Sequence, residues 1–298
     1  MNARRCVAVL GFAFLACACP LPPPLPPKAG PPPPPGEIVL DQGFIVLQLH
    51  TPPGPAGPKP TVISFLADQE LLLAAGVVVA TYRLEWKLVE AFRPPEPPPA
   101  PGAHPVGQWL LAAPSPKTVG KGFFGVITTN AESAIPKIVD YLATRPEVDA
   151  ARIGVAGNST YGFTALQAAA ADPRLTAAVS LVASGDYRCF LNLSNLAMAG
   201  KPLDLDPVYA RWLDEHDPVR HPERLVHTAL LMVNGKDDPA VPLACAERTA
   251  RVLRGAYQRA GVPERFRFQL AGGGHVIEEA ARRETLAWFQ RWLIHPGS

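Results

Sequence analysis

Apolar residues in this chain fall into short runs: Val62–Leu66, Gly76–Ala80, Ile153–Ala156, Ala177–Val182, Ala229–Val233 and Phe266–Leu270. Runs of this length, with little polar alternation, are typical of strands buried on both faces of a parallel sheet. Between and after them the spacing turns helical: a short stretch at Gln69–Ala75, then Ala131–Thr144, Thr160–Ala171, Pro242–Ala260 and Ile277–Leu293. Ahead of all of these, Glu37–Leu40 and Phe44–Leu49 read as an antiparallel pair joined by the turn Asp41-Gln42-Gly43. Strand and helix in alternation over this length predict an α/β fold, a doubly wound, mostly parallel sheet with helices on both faces.

Two stretches break the alternation. Residues 84–130 carry a proline cluster from Pro94 to Pro105 and then Trp109, Phe123 and Phe124; residues 184–226 are rich in Asp, Leu and Pro. Long insertions after strands shape substrate pockets, so both are expected to form pocket walls or a small cap. The three aromatic residues suit either a pocket lining or ordinary core.

Composition changes the picture mainly at the N-terminus. Arg4 and Arg5 precede a short apolar segment, Val7 to Ala18, which reads as an export signal over residues 1–19 rather than a membrane span. Phe14-Leu15-Ala16-Cys17 resembles a bacterial lipobox, which would make Cys17 the lipidated residue, with Cys19 the second candidate. Residues 20–35 hold 11 prolines in 16 positions, so the segment 20–36 is expected to be a semi-rigid polyproline spacer. Residues 37–298 are then expected to form one α/β domain, being long enough for a full core. These features predict export to the bacterial cell envelope, held at a membrane through the N-terminal lipid, or simple secretion. Without Arg4 and Arg5 the basic side chains number 26, equal to the 26 acidic ones, and no basic stripe suggests nucleic acid as a partner. Cys189 and Cys245 are taken as buried thiols, with a disulfide the alternative if both lie in loops at one end of the sheet.

The candidate chemistry sits where three of the apolar runs end. Gly157-Asn158-Ser159-Thr160 stops one run at a glycine and enters a helix at once, which presents one hydroxyl at the tip of a strand-to-helix turn. Asp238, in Gly235-Lys236-Asp237-Asp238-Pro239, and His275, after Gly272-Gly273-Gly274, each follow a strand as well, 79 residues beyond Ser159 and 37 beyond Asp238. All three should emerge at the same sheet edge. A serine hydroxyl needs a base to become a nucleophile, and imidazole held by a carboxylate supplies one near neutral pH. Ser159, Asp238 and His275 are therefore the expected triad, with Asp237 the alternative acid one residue along the turn.

From about residue 37 to 293 the chain resembles the α/β-hydrolase superfamily, nearest its dienelactone-hydrolase-like and prolyl-oligopeptidase-like branch. The resemblance rests on Arg145-Pro146-Glu147-Val148-Asp149 leading into Arg152-Ile153-Gly154-Val155, on Gly235-Lys236-Asp237-Asp238-Pro239-Ala240-Val241-Pro242, and on Leu286-Ala287-Trp288-Phe289 with Trp292-Leu293. It implies an ester hydrolase working through an acyl-enzyme on Ser159, with a small-molecule ester as substrate and no metal or organic cofactor. The chain departs from the usual pattern twice. The elbow reads G-x-S-x-x-G, with Tyr161 where a small residue is usual, a spacing known in glucuronoyl-esterase-like relatives. The loop that usually brings glycines to the oxyanion hole reads Phe65-Leu66-Ala67-Asp68-Gln69. The expected oxyanion donors are the N–H of Thr160 and that of Leu66 or Ala67. These departures are also what a competing reading would rest on, a hydrolase-fold envelope protein used for binding.

Other polar features imply no site. Asp204, Asp206, Asp214, Glu215 and Asp217 read as a solvated acidic cap, and His216, His221 and His227 lack zinc-ligand spacing.

Overall fold

Each apolar run becomes a strand whose successive side chains serve two different cores. On the strand Ala229–Gly235, Leu230 and Met232 enter one cluster while Leu231 and Val233 enter the other; on Leu175–Leu181, Ala178 faces the first and Ala177 and Val179 the second. That two-sided burial is why the runs lack polar alternation. The computed structural model describes residues 36–66, 69–85, 123–194 and 207–296.

Eight strands form one sheet: β1 Glu37–Leu40, β2 Ile45–His50, β3 Lys59–Ser64, β4 Val78–Leu84, β5 Val148–Asn158, β6 Leu175–Leu181, β7 Ala229–Gly235 and β8 Phe266–Ala271. Their order is β1-β2-β4-β3-β5-β6-β7-β8. β1 and β2 pair antiparallel, as does β2 with β4; all other pairings are parallel. One layer carries α1 (Gln69–Ala74) and α7 (Glu279–Phe289); the other carries α2 (Ile135–Leu142), α3 (Thr160–Ala171) and α6 (Leu243–Arg259). This is the expected α/β architecture.

After β3 the chain winds to one side to make β4, then returns to place β5 on β3's other side. The reversal opens a crevice at the carboxyl ends of β3 and β5, where open α/β sheets bind their ligands. Ser159 follows β5 directly. α3 is buried nearly all round, and its run of alanines lets it sit close to both β5 and β6.

A third cluster lies apart from the two main cores: Phe123, Phe124, Phe163, Tyr187, Phe190 and Val241, with neighbours. Phe123 and Phe124 are thus core residues, stacked on Phe190 and Tyr187 respectively; Trp109 lies outside the described residues. Within the second insertion, α4 (Tyr187–Leu193) and α5 (Pro207–His216) are helices.

The structure corrects two expectations here. Cys189 and Cys245 form a disulfide, with Cα atoms 5.5 Å apart, and they do so on helices α4 and α6 rather than in loops. The helices are brought together by Ser184, Gly185 and Thr249, which share hydrogen bonds beside the bridge. Nor is the acidic group a uniformly solvated cap. Asp217 is only 1% exposed, accepts hydrogen bonds from the Tyr187 and Val219 amides, and lies near the buried Asp186. Burial and the neighbouring Asp186 charge push its carboxyl up to about 7. Asp214 pairs with Arg188, while Asp204 and Asp206 lie outside the described residues.

Candidate active site

The hydroxyl of Ser159 stands on a strained turn. Its φ of 53° and ψ of −125° are unusual for a residue with a Cβ, and such strain marks a sharp strand-to-helix elbow. Its amide donates to Leu181 O and its carbonyl accepts from the Gly162 and Phe163 amides, so backbone bonds on both sides hold the conformation. A Cβ at Gly157 would lie 2.2 Å from the Tyr161 carbonyl oxygen, and one at Gly162 would lie 2.5 Å from Leu181 O. The two glycines flanking the serine thus relieve different contacts, one with the incoming helix and one with β6.

His275 reaches this serine across the sheet edge. Its Nε2 lies 2.8 Å from Ser159 Oγ and its Nδ1 2.7 Å from Asp238 Oδ2. A carboxylate only accepts, so Nδ1 carries the proton and donates to Asp238, which leaves Nε2 to accept from the serine hydroxyl. Asp238 is 4% exposed, and its other oxygen accepts from the amides of Ala240 and Val241. The carboxylate is therefore fixed from both sides. Asp237, the alternative acid, is exposed, and its backbone amide instead holds the histidine loop through Gly273 O at 3.0 Å.

Gly235 completes that arrangement. A Cβ there would meet the carbonyl oxygens of Gly274 at 2.3 Å and Gly273 at 2.7 Å. The glycine at the end of β7 and the three before His275 allow two loops to pass at backbone contact. Their presence is visible in the sequence; that they touch one another is not.

The expected oxyanion donors are placed unequally. Thr160 opens α3, so its amide has no acceptor within the helix and sits at the helix's positive end. The Leu66 amide donates to Ser64 Oγ at 3.2 Å, and the Phe65 amide to Ala156 O. Ala67 lies outside the described residues, as does Cys17. Tyr161 stacks on Phe65 with ring centroids 4.2 Å apart, and Phe65 meets the edge of Tyr82, whose hydroxyl donates to Asn130. Burial raises the phenols of both Tyr82 and Tyr161 above their ordinary range. Asn130 lies on a π-helical turn, Thr129–Ala134, ahead of α2.

His216 pairs with Glu132 at 3.5 Å, and that partner raises its ring above the ordinary histidine range. His221 bonds Asp214 O, and burial pushes His227 below the usual value. The partners of His216 and His221 thus lie in the second insertion and on the turn before α2, not in the Ser159 constellation.

An open, mostly parallel sheet with helices on both faces and a serine elbow at its reversal point defines an α/β-hydrolase. Residues 131–295, more than half of the chain, match the prolyl oligopeptidase family, and the chain belongs to that family of serine hydrolases. It is 27% identical over 179 residues to "Putative esterase YitV" of Bacillus subtilis (strain 168), covering 58% of this chain and 69% of that protein. "Putative hydrolase YtaP" of the same organism is 26% identical over 178 residues, covering 58% of this chain and 56% of that one. Among solved structures, TT1662 from Thermus thermophilus superposes with a TM-score of 0.58 at 19% identity, covering 84% of this chain and 94% of that one. A glucuronoyl esterase from Caldicellulosiruptor kristjansonii gives 0.55 at 18% identity, covering 83% and 72%. Both likenesses are of fold.

Proposed function

We propose that this hydrolase cleaves carboxylic esters through a covalent acyl-enzyme, with Ser159 as nucleophile. The observation that carries the reading is the unbroken hydrogen-bonded line from Ser159 through His275 to the buried Asp238. Ser159 Oγ attacks the ester carbonyl carbon while His275 Nε2 takes the hydroxyl proton. Asp238 keeps the imidazole in the required tautomer and stabilises the imidazolium. The oxyanion points at the Thr160 amide and at a second donor from the loop after β3, either Ala67 or, once its amide leaves Ser64 Oγ, Leu66. Collapse breaks the bond to the alkoxide, which leaves with the proton from His275, and water activated by the same nitrogen then releases the acid.

The N-terminal reading belongs to the same proposal. Residues 1–19 act as an export signal with Cys17 as lipid acceptor, and the proline-rich segment 20–36 holds the domain off the membrane surface.

Full-length protein and its Ser159→Ala variant, exposed to a fluorophosphonate probe and to short p-nitrophenyl esters, test the catalytic part. Labelling and turnover are expected in the wild type and, on the order of mutant effects on such triads, roughly a thousand-fold less turnover or lower in the variant. A folded wild type that takes no label would overturn the proposal and favour a binding role for the fold.

A further inference from the structure

The hydrogen-bonded line through Ser159, His275 and Asp238 does not end at the carboxylate. Asp238 Oδ1 accepts from the amides of Ala240 and Val241, both at 2.9 Å. The peptide group joining those two residues is itself held from behind: the Ser194 hydroxyl donates to Ala240 O at 2.6 Å. One planar peptide unit thus accepts from Ser194 at its oxygen and donates to Asp238 at its nitrogen. A peptide polarised at its carbonyl is the stronger donor at its N–H. Ser194 is fully buried and Ala240 is 6% exposed, so water barely competes for these bonds.

Ser194 comes from the second insertion. It directly follows α4, and its amide closes that helix by donating to Phe190 O. α4 is also fixed independently of the hydroxyl. The Cys189–Cys245 bridge ties it to α6, and its Phe190 and Leu191 belong to the third cluster, which Val241 also enters. Pro239 and Pro242 flank the Ala240–Val241 pair, and their restricted φ leaves the acid turn few ways to absorb a displacement. A shift of that peptide therefore passes to Asp238, and from there to the His275 ring 2.7 Å away.

We propose, on the triad reading of Ser159, His275 and Asp238, that Ser194 is a positioning residue for the triad acid, acting through the Ala240–Val241 peptide. Without the hydroxyl, the Ala240 carbonyl loses its buried donor and the turn rotates to find another. The carboxylate then no longer holds the imidazole in the orientation that accepts the serine proton. Ser194 is buried away from substrate, so the loss falls on kcat rather than on KM.

The test measures kcat and KM for p-nitrophenyl acetate on full-length protein, alongside the rate of fluorophosphonate labelling. Ser194→Ala, which keeps the disulfide and the apolar packing of α4, should stay folded by near-UV circular dichroism. Its kcat should fall about ten-fold while KM stays within about two-fold. Thr228→Val removes a buried hydroxyl of the same kind, one that donates to Leu175 O at 2.7 Å at the other end of β6, and it should leave kcat within about two-fold. In an Asp238→Ala background, adding Ser194→Ala should slow labelling by less than about two-fold, because no carboxylate remains to be placed. Wild-type kcat in folded Ser194→Ala, an equal loss in Thr228→Val, or a full ten-fold loss persisting in the Asp238→Ala background would overturn the positioning role while leaving the nucleophile in place. A folded wild type with neither labelling nor turnover would overturn the hydrolase reading and the role of Ser194 with it.

Discussion

Replacing Asp217 by Asn should make the protein's stability less sensitive to alkaline pH. The Asp217 carboxyl is held up to about 7 from an ordinary 3.8, first by burial and then by the charge of Asp186. The folded state therefore binds a proton across a pH range in which the unfolded chain has released it. Where the folded state holds the extra proton, stability falls as pH rises, and the loss accumulates from the unfolded pKa up to the folded one. With those two values, the wild type loses about 2.5 kcal/mol between about pH 5 and pH 8 from this group alone. The asparagine amide has no proton to lose, so the difference between variant and wild type should widen in the variant's favour by that amount. One cost is independent of pH: an amide cannot accept from both the Tyr187 and Val219 backbones, which sets the variant back by about 1–2 kcal/mol throughout. His216, next in sequence, also contributes stability that is lost as pH rises through its raised value, but it does so in both proteins and cancels in the difference. Urea unfolding of both proteins at about pH 5, 6, 7 and 8 reads the effect directly. A constant offset across that range would refute the reasoning, because it would mean that Asp217 is ionised in the folded state throughout.

Gly235→Ala should lower kcat on a short ester by about 100-fold, since its Cβ cannot coexist with the Gly273 and Gly274 carbonyls and the His275 loop must retreat from Ser159. Near-UV circular dichroism should stay that of a folded protein, and wild-type kcat in the variant would show that the loop contact does not set the histidine's position. Removing the disulfide with Cys189→Ser and Cys245→Ser should cost about 4 kcal/mol, from the chain entropy regained over a 56-residue separation, and lower the thermal midpoint by roughly 10 °C. A midpoint unmoved in calorimetry would show that the bridge constrains nothing in the unfolded chain.

How far the sequence disclosed this protein depends on the range of the interaction concerned. The strands were legible because burial on both faces writes itself into consecutive residues, as at Ala229–Val233, and α3 was legible because its start is set by one local elbow. The three candidate site residues were legible for a related reason: Ser159 comes directly after β5, Asp238 and His275 come three and four residues after the ends of β7 and β8, and parallel strands deliver their ends to one edge. What escaped depended on two distant segments meeting. The Cys189–Cys245 pair became a disulfide because α4 and α6 pack through Ser184 and Thr249, a contact no local pattern records. Asp217 looked solvated because its neighbours in sequence, His216 and Glu215, are polar, whereas its surroundings in space are Asp186 and the amide of Tyr187. The choice of Asp238 over Asp237 lay between the two cases. Its carboxylate accepts from amides two and three residues on, a local turn that the Asp-Pro-Ala-Val string permits but does not single out.

The departure at the elbow carries a consequence for how the site is walled. In the usual spacing, the glycine two residues after the serine leaves the space beside the hydroxyl empty. Here the close approach is moved one residue along, to Gly162, whose Cα lies against Leu181 O and Ala183. Position 161 is thereby freed of the contact with β6, while its close approach to Gly157 remains, and it can bear a large side chain. Tyr161 uses that freedom to stack flat on Phe65, the residue after the end of β3. The loop beginning there lacks the glycines expected near an oxyanion hole, and a glycine-poor loop has fewer backbone conformations in which to present an amide. The stack on Phe65 engages the first residue of that segment, and Tyr82 meets the same ring at its edge. The altered elbow and the altered loop thus meet in one contact: the residue standing where a glycine is usual stacks on the first residue of the segment that lacks glycine.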